Sequence, residues 1–212
     1  TLLRSWTALA RQLTRGRSVG DTAPAVEASP PDDNGEAIGL GPNSLTMTFG
    51  FGRSLFVDAD GGDRFGLAAK MPQALFAVPS FGSLDALDPQ RSDGDIAVQI
   101  CCDDAQVAFH AMHHLARLAK GTLTAKWNQL GFGPSSSTST TQSTPRNLMG
   151  FKDGTRNVSV GGVGDDDEHV WVTDDNWMTG GTYQVARKIS MNLEIWDADP
   201  VSDQQEIFGR SK

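Results

Sequence analysis

The sequence predicts an α+β chain of ferredoxin-like type, antiparallel strands with helices on one face, and three observations carry that prediction. Leu45, Met47, Phe49 and Phe51 alternate with Thr46, Thr48 and Gly50, the pattern of a half-buried strand. Ile96, Val98, Ile100 and Cys102 repeat it, and the helical stretch to Lys120 carries Val107, Ala108, Ala111, Met112, Leu115 and Leu118 as an apolar stripe. Residues 122–127 return as a further expected strand.

In chain order, Leu2, Leu3, Trp6, Leu9, Ala10 and Leu13 recur at helical spacing, so the chain opens on an amphipathic helix that Gly16 and Gly20 end. Residues 18–43 are rich in Pro, Gly, Asp and Ala without a period, which reads as a long surface loop with no assigned chemistry. Asp58, Asp60 and Asp63 stand among glycines but lack the ligand pattern and closing Glu of a calcium loop, so a solvated turn is expected. Asp103 or Asp104 is placed to cap the helix that follows. On that helix His110, His113, His114 and Arg117 share a face. Histidines four apart can chelate a metal, but no acid accompanies them in sequence and Arg117 would repel a cation. They read as a solvated face, and no metal ligand is nominated.

The Ser/Thr stretch 134–144 cannot build a core and separates two halves, 1–144 and 145–212. The second half opens on Gly150-Phe151-Lys152-Asp153-Gly154-Thr155-Arg156-Asn157, a turn that holds an acid between glycines. An acidic loop, Asp165 to Glu168, precedes an expected strand at Val170, Trp171 and Val172. A strand from Gly180 places Tyr183, Val185, Arg187, Ile189 and Met191 on one face. An arginine there is costly to bury unless it meets an anion. A helical segment over 191–196 and a last helix, with Ser202 and Gln205 as a capping box and Gly209 as its stop, close the chain.

Composition bounds the function. The 212 residues are 38% hydrophobic, enough for a substantial core. A net charge of -8 at pH 7 argues against nucleic acid or an anionic membrane surface as partner. No apolar run reaches the roughly 18 residues of a membrane span. Cys101 and Cys102 are adjacent and should point to opposite faces; buried small residues are the preferred reading, and no disulfide framework follows.

The turn at 150–157, taken with Pro145 to Met149 before it, resembles the GxxDG signature of dye-decolorizing peroxidases. Asp63 to Ala68, Gly94 to Ile100, Gly180 to Arg187 and Gln205 to Arg210 resemble that family in the same order, closest to its secreted, EfeB-like branch. The resemblance implies a dimeric α+β barrel-like architecture, with the first strand absent before the opening helix. It implies haem b in the second half, with Asp153 as the distal proton carrier. Gly154, Thr155, Arg156 and Asn157 would line the cofactor, and Arg187 would reach a propionate. It also implies that the proximal histidine and a distal arginine come from a segment beyond Lys212, making this chain a fragment or one chain of a nicked protein.

Hydrogen peroxide and aromatic dyes or phenols are the implied reactants, with Tyr183, Trp171, Trp177 and Trp196 as surface relays unless they are core aromatics. A haem-handling, deferrochelatase-like protein of the same fold is the alternative, and a cofactor-free interaction domain the third reading. A secreted or periplasmic setting is implied, and a homo-oligomer is left open.

Overall fold

The computed structural model describes residues 1–24, 26–131, 146–153, 167–174 and 176–212. The chain divides into two units, Thr1–Phe132 and Gly133–Lys212, each taken here by itself.

In the first unit, helix α1 (Leu2–Leu13) buries Trp6, Leu9 and Leu13, the residues that helical spacing places on one stripe. Gly16 ends the turn at φ +67°, where a Cβ would sit 2.8 Å from the Pro42 ring, so this glycine is required on both counts. Strands β1 (Thr46–Phe51) and β2 (Ile96–Cys101) pair antiparallel. Met47 lies opposite Ile100, Phe49 opposite Val98 and Phe51 opposite Ile96, so the apolar sets of both strands share one face. Helix α2 (Ala105–Ala119) follows; the Asp104 carboxylate accepts from the N–H groups of Gln106 at 2.8 Å and Val107 at 3.0 Å.

The core forms where α1, α2 and the sheet meet, around Trp6, Leu9, Leu13, Leu45, Val107, Ala111 and Leu115. Trp6 fixes the arrangement: its ring stacks on Phe49 with centroids 5.6 Å apart, and its Nε1–H donates to the Leu115 carbonyl at 3.0 Å. Helices against one face of an antiparallel sheet is the α+β plan expected. Replacing Asp104 with Ala leaves two first-turn donors uncapped and is expected to cost about 1 kcal/mol, read from the urea midpoint of the first unit.

Four expectations need correction in this unit. The buried stripe of α2 is Val107, His110, Ala111, His114, Leu115 and Ala119, whereas Met112 and Leu118 are exposed. The stripe is rotated toward the histidines because the 18–41 loop covers that side of the helix, so His110 and His114 are no solvated face. Residues 122–127 form no ladder among the described residues; Trp127 instead donates its Nε1–H to the Asp93 carbonyl at 2.8 Å. Cys101 is exposed because strand alternation turns it away from the core, while Cys102 is half-buried, and both thiols are free. The Asp58 and Asp63 carboxylates accept backbone N–H groups of their own turns, as solvated turns do.

The second unit contains helices α3 (Asp167–Val170), α4 (Leu193–Ala198) and α5 (Val201–Phe208) among its described residues. The expected strand at 170–172 does not form: Val170 ends the helical turn α3, Trp171 lies in a bend, and Val172 exchanges hydrogen bonds with Gly180 and Gly181 at 2.8 and 2.9 Å. Residues 182–191 carry no regular structure, and Tyr183, Val185, Ile189 and Met191 are exposed. Period-two spacing makes a strand only where a neighbour pairs with it; no described strand does so here. The capping box also fails: Pro200 occupies the cap, Ser202 lies inside α5, and its hydroxyl donates to Asp203. Gly209 ends α5 in the left-handed region, as expected. The Ser/Thr stretch 134–144 and Asp165 and Asp166 lie outside the described residues. No helix among those described is long and apolar enough to cross a membrane.

Candidate functional site

Asp153 leaves a turn that is fixed on every side. Arg146 and Lys152 form an antiparallel bridge, and Asn147 N–H donates to the Phe151 carbonyl at 2.9 Å. Gly150 makes the reversal at φ +82°. The Asn147 side chain fills the loop: Oδ1 accepts from Met149 N–H at 3.0 Å and Phe151 N–H at 3.1 Å, while Nδ2–H donates to Asp153 Oδ1 at 3.2 Å. One asparagine therefore shapes the turn and holds one oxygen of the half-buried Asp153 carboxylate.

Below the turn, Phe151 is 0% exposed. Its ring stacks on Phe208 with centroids 4.1 Å apart and planes 5° from parallel, and Trp196 meets both rings edge-on. The buried Gln204 ties α5 back to α4 through the carbonyls of Trp196 and Asp199, and it accepts from Lys212 Nζ at 2.8 Å. Lys212 Nζ also lies 5.5 Å from the Phe151 ring centroid. The acid is thus carried on a turn bolted to a helix pair through one aromatic side chain.

Asn147→Ala removes the acceptor of two turn N–H groups. It is expected to cost about 1 to 3 kcal/mol locally, seen as faster hydrogen exchange at Met149 and Phe151.

Of the other nominated residues, Gly154, Thr155, Arg156 and Asn157 lie outside the described residues. Arg187 is exposed in the irregular segment before α4, in the same unit as Asp153 but in none of that turn's contacts given above. Trp171, Trp177 and Tyr183 are exposed, whereas Trp196 belongs to the aromatic cluster. Asn147 was not singled out by sequence; an Asx turn just before an acidic Gly-Phe-Lys-Asp turn is the signal that could have found it.

The first unit holds a second convergence of polar groups, between α2 and the loop that precedes β1. Asp33, His110 and His114 are each 3% exposed. Asp33 accepts from Val19 N–H at 2.8 Å, Gly35 N–H at 2.7 Å and the Ser18 hydroxyl at 3.2 Å. Glu36 accepts from, or pairs with, His110 Nδ1 at 2.8 Å and His113 Nδ1 at 2.6 Å. Arg117 does not face a cation site openly; its guanidinium donates to the carbonyls of Pro31 and Asp32 and to Asn34 Oδ1.

Burial acts to raise the Asp33 carboxyl, but the Val19 and Gly35 N–H donors and His110 outweigh it and hold it below the usual carboxylate value. Burial likewise works to raise Glu36, and hydrogen bonds from His110 and His113 bring it down to about 2. Burial, then the neighbouring His110, push His114 below the ordinary histidine value. The two histidines four apart were visible in sequence; the acids that meet them were not, because they come from a loop about 75 residues upstream, without a period to tie them to the helix.

The chain, an α+β unit followed by a second unit that carries an anchored acidic turn, belongs to the Dyp-type peroxidase family. Residues 1–133 match its N-terminal pattern and residues 144–212 its C-terminal one. Among curated relatives it is similar to the deferrochelatases of Escherichia coli strain K12 and Shigella boydii serotype 4, 38% identical over 189 residues and 86% of this chain in each case. Among solved structures it resembles a DyP-type peroxidase from Streptomyces coelicolor, with 38% identity, TM-score 0.81, and 99% of this chain covered. Ferric DtpA from Streptomyces lividans gives 39% identity and TM-score 0.81 over 99% of the chain. The chain spans 43% of the length of those curated relatives and 52% of those solved chains.

Members of this family bind haem, and among the described residues of the second unit the acidic group on offer is the half-buried Asp153 carboxylate on its hydrogen-bonded turn. His169, the one histidine in residues 133–212, has a side chain 63% exposed beside Glu168.

Proposed function

We propose that the protein is a haem-dependent peroxidase that uses hydrogen peroxide to oxidise aromatic dyes or phenols, with Asp153 as its proton carrier. The observation that carries this reading is the Asp153 carboxylate itself, held by Asn147 through Oδ1 on a turn clamped by Phe151. Haem, when bound, supplies the redox-active iron. The chain's own contribution is acid-base: Asp153 takes a proton from one oxygen of hydrogen peroxide and returns it to the other, which departs as water. Asn147 occupies Oδ1, so the proton travels on Oδ2, and the fixed turn keeps that oxygen in place through the transfer.

In the same proposal Gly154, Thr155, Arg156 and Asn157 line the cofactor, Arg187 reaches a propionate, and a segment after residue 212 brings the proximal histidine and a distal arginine. Bulky donors are oxidised at the surface, where Trp171, Trp177 and Tyr183 are exposed. The exported setting implied by the resemblance belongs to this proposal as well.

A second reading, haem handling that releases iron, is favoured by the name of the 38% identical deferrochelatases. Full-length protein loaded with haem separates the two. Peroxide-dependent bleaching of an aromatic dye with the porphyrin retained is the expected result; iron-free porphyrin accumulating without dye oxidation would favour the second reading instead.

A further inference from the structure

We propose that Asp33, His110 and His114 form a site for a divalent transition ion, zinc by preference, with Glu36 orienting His110 from behind. Asp33, Glu36, His110 and His114 can each offer one ligand atom, all within 4.8 Å of one another. The telling distances are those from the Asp33 carboxylate: Oδ2 is 3.7 Å from His110 Nε2 and Oδ1 is 3.7 Å from His114 Nε2. Both are too long for a shared proton. Both are close to the roughly 3.3 Å that separates neighbouring ligand atoms when a tetrahedral zinc binds each at about 2.0 to 2.1 Å.

Helix α2 sets the imidazoles one turn apart on one side, with ring centroids 4.5 Å apart. Glu36 engages His110 at Nδ1, 2.8 Å away, which leaves Nε2 of that ring turned toward Asp33. A carboxylate behind a ligating histidine is the arrangement that fixes its tautomer and ring plane. The hydrogen bond that reaches His114 Nε2, from Asn34 N–H, is stretched to 3.5 Å, so an ion would displace little there.

Two imidazoles with a carboxylate suit zinc, and disfavour calcium or magnesium, which prefer oxygen. A cavity of about 210 Å³ bordered by Leu13, Ala37, Leu45, Asp33 and His110 adjoins the cluster and leaves an entry path and room for a water as fourth ligand. The ion would fasten the 18–41 loop to α2, a structural role suited to ligands 3% exposed.

The test uses the intact, untagged protein stripped of loosely bound metal and titrated with zinc chloride against a chromogenic chelator. The expected result is one zinc per chain, weakened at least about 100-fold by His114→Ala and about 10- to 100-fold by Glu36→Gln, with far-ultraviolet circular dichroism unchanged. Equal zinc affinity in wild type and His114→Ala, or none in wild type, overturns the proposal. Should His114→Ala fail to fold, X-ray absorption at the zinc edge of the wild-type protein decides, undisturbed by haem iron: two imidazoles per zinc support the site, and an all-oxygen shell refutes it.

Discussion

Replacing Asp153 with Asn is expected to leave haem uptake unchanged and to slow the reaction with hydrogen peroxide by about 100- to 10,000-fold, the contribution of a positioned acid-base group. Asparagine keeps the size of the side chain, and its carbonyl oxygen can still accept the Asn147 Nδ2–H bond, so the turn should persist. What is lost is a group that can take a proton and give it back. Stopped-flow absorbance on the full-length protein, with peroxide in excess, reads the rate directly. A rate within a few-fold of wild type would remove Asp153 from the mechanism. A loss of haem along with the rate would show that the carboxylate holds the cofactor instead.

Phe151→Ala should have the largest effect on stability, about 3 to 5 kcal/mol, as for other fully buried aromatics truncated to alanine. Phe151 is the side chain through which the acidic turn meets α4 and α5, and its removal strips Phe208 of a parallel ring and Trp196 of an edge contact. Chemical denaturation of the second unit should shift to correspondingly lower denaturant, with Phe151→Leu intermediate. Loss below about 1 kcal/mol would mean that the turn is held by its backbone bonds alone. Because Asp153 is only two residues away, Phe151→Ala should also lower peroxide reactivity without touching any proton-carrying group.

Much of the first unit was legible in the sequence because its signals are local. Met47, Phe49 and Phe51 alternate, Trp6, Leu9 and Leu13 recur at helical spacing, and Asp103 or Asp104 stands where a cap must be; the strand and both helices form, with Asp104 as the cap. Failures came where a long-range partner decides. Tyr183 to Met191 have the period of a strand but no described strand beside them, and Ser202 has a cap's chemistry two residues too late, since Pro200 already occupies the cap. His110 and His114 looked like a wet face because helix periodicity cannot reveal that a distant loop will cover it.

The acidic turn shows the same division. Its glycines and Asp153 can be read from the motif. That Asn147 would hold the carboxylate, and Phe151 the turn, depends on a side chain folding back and on Trp196 and Phe208, from helices well downstream.

Asp32 and Asp33 both send their N–H groups to the carbonyl of Asp21, at 3.0 and 3.2 Å, and Arg117 grips Pro31, Asp32 and Asn34 immediately afterwards. The described residues between Asp21 and Pro31 are therefore a side excursion tied off at its neck. Lengthening it costs closure entropy of only about 0.6 kcal/mol for each doubling in length. The six residues that follow have no such latitude: shifting them by a single position withdraws both acids from the helix at once, so evolution or engineering can vary the excursion freely while the knot beneath it must keep its count.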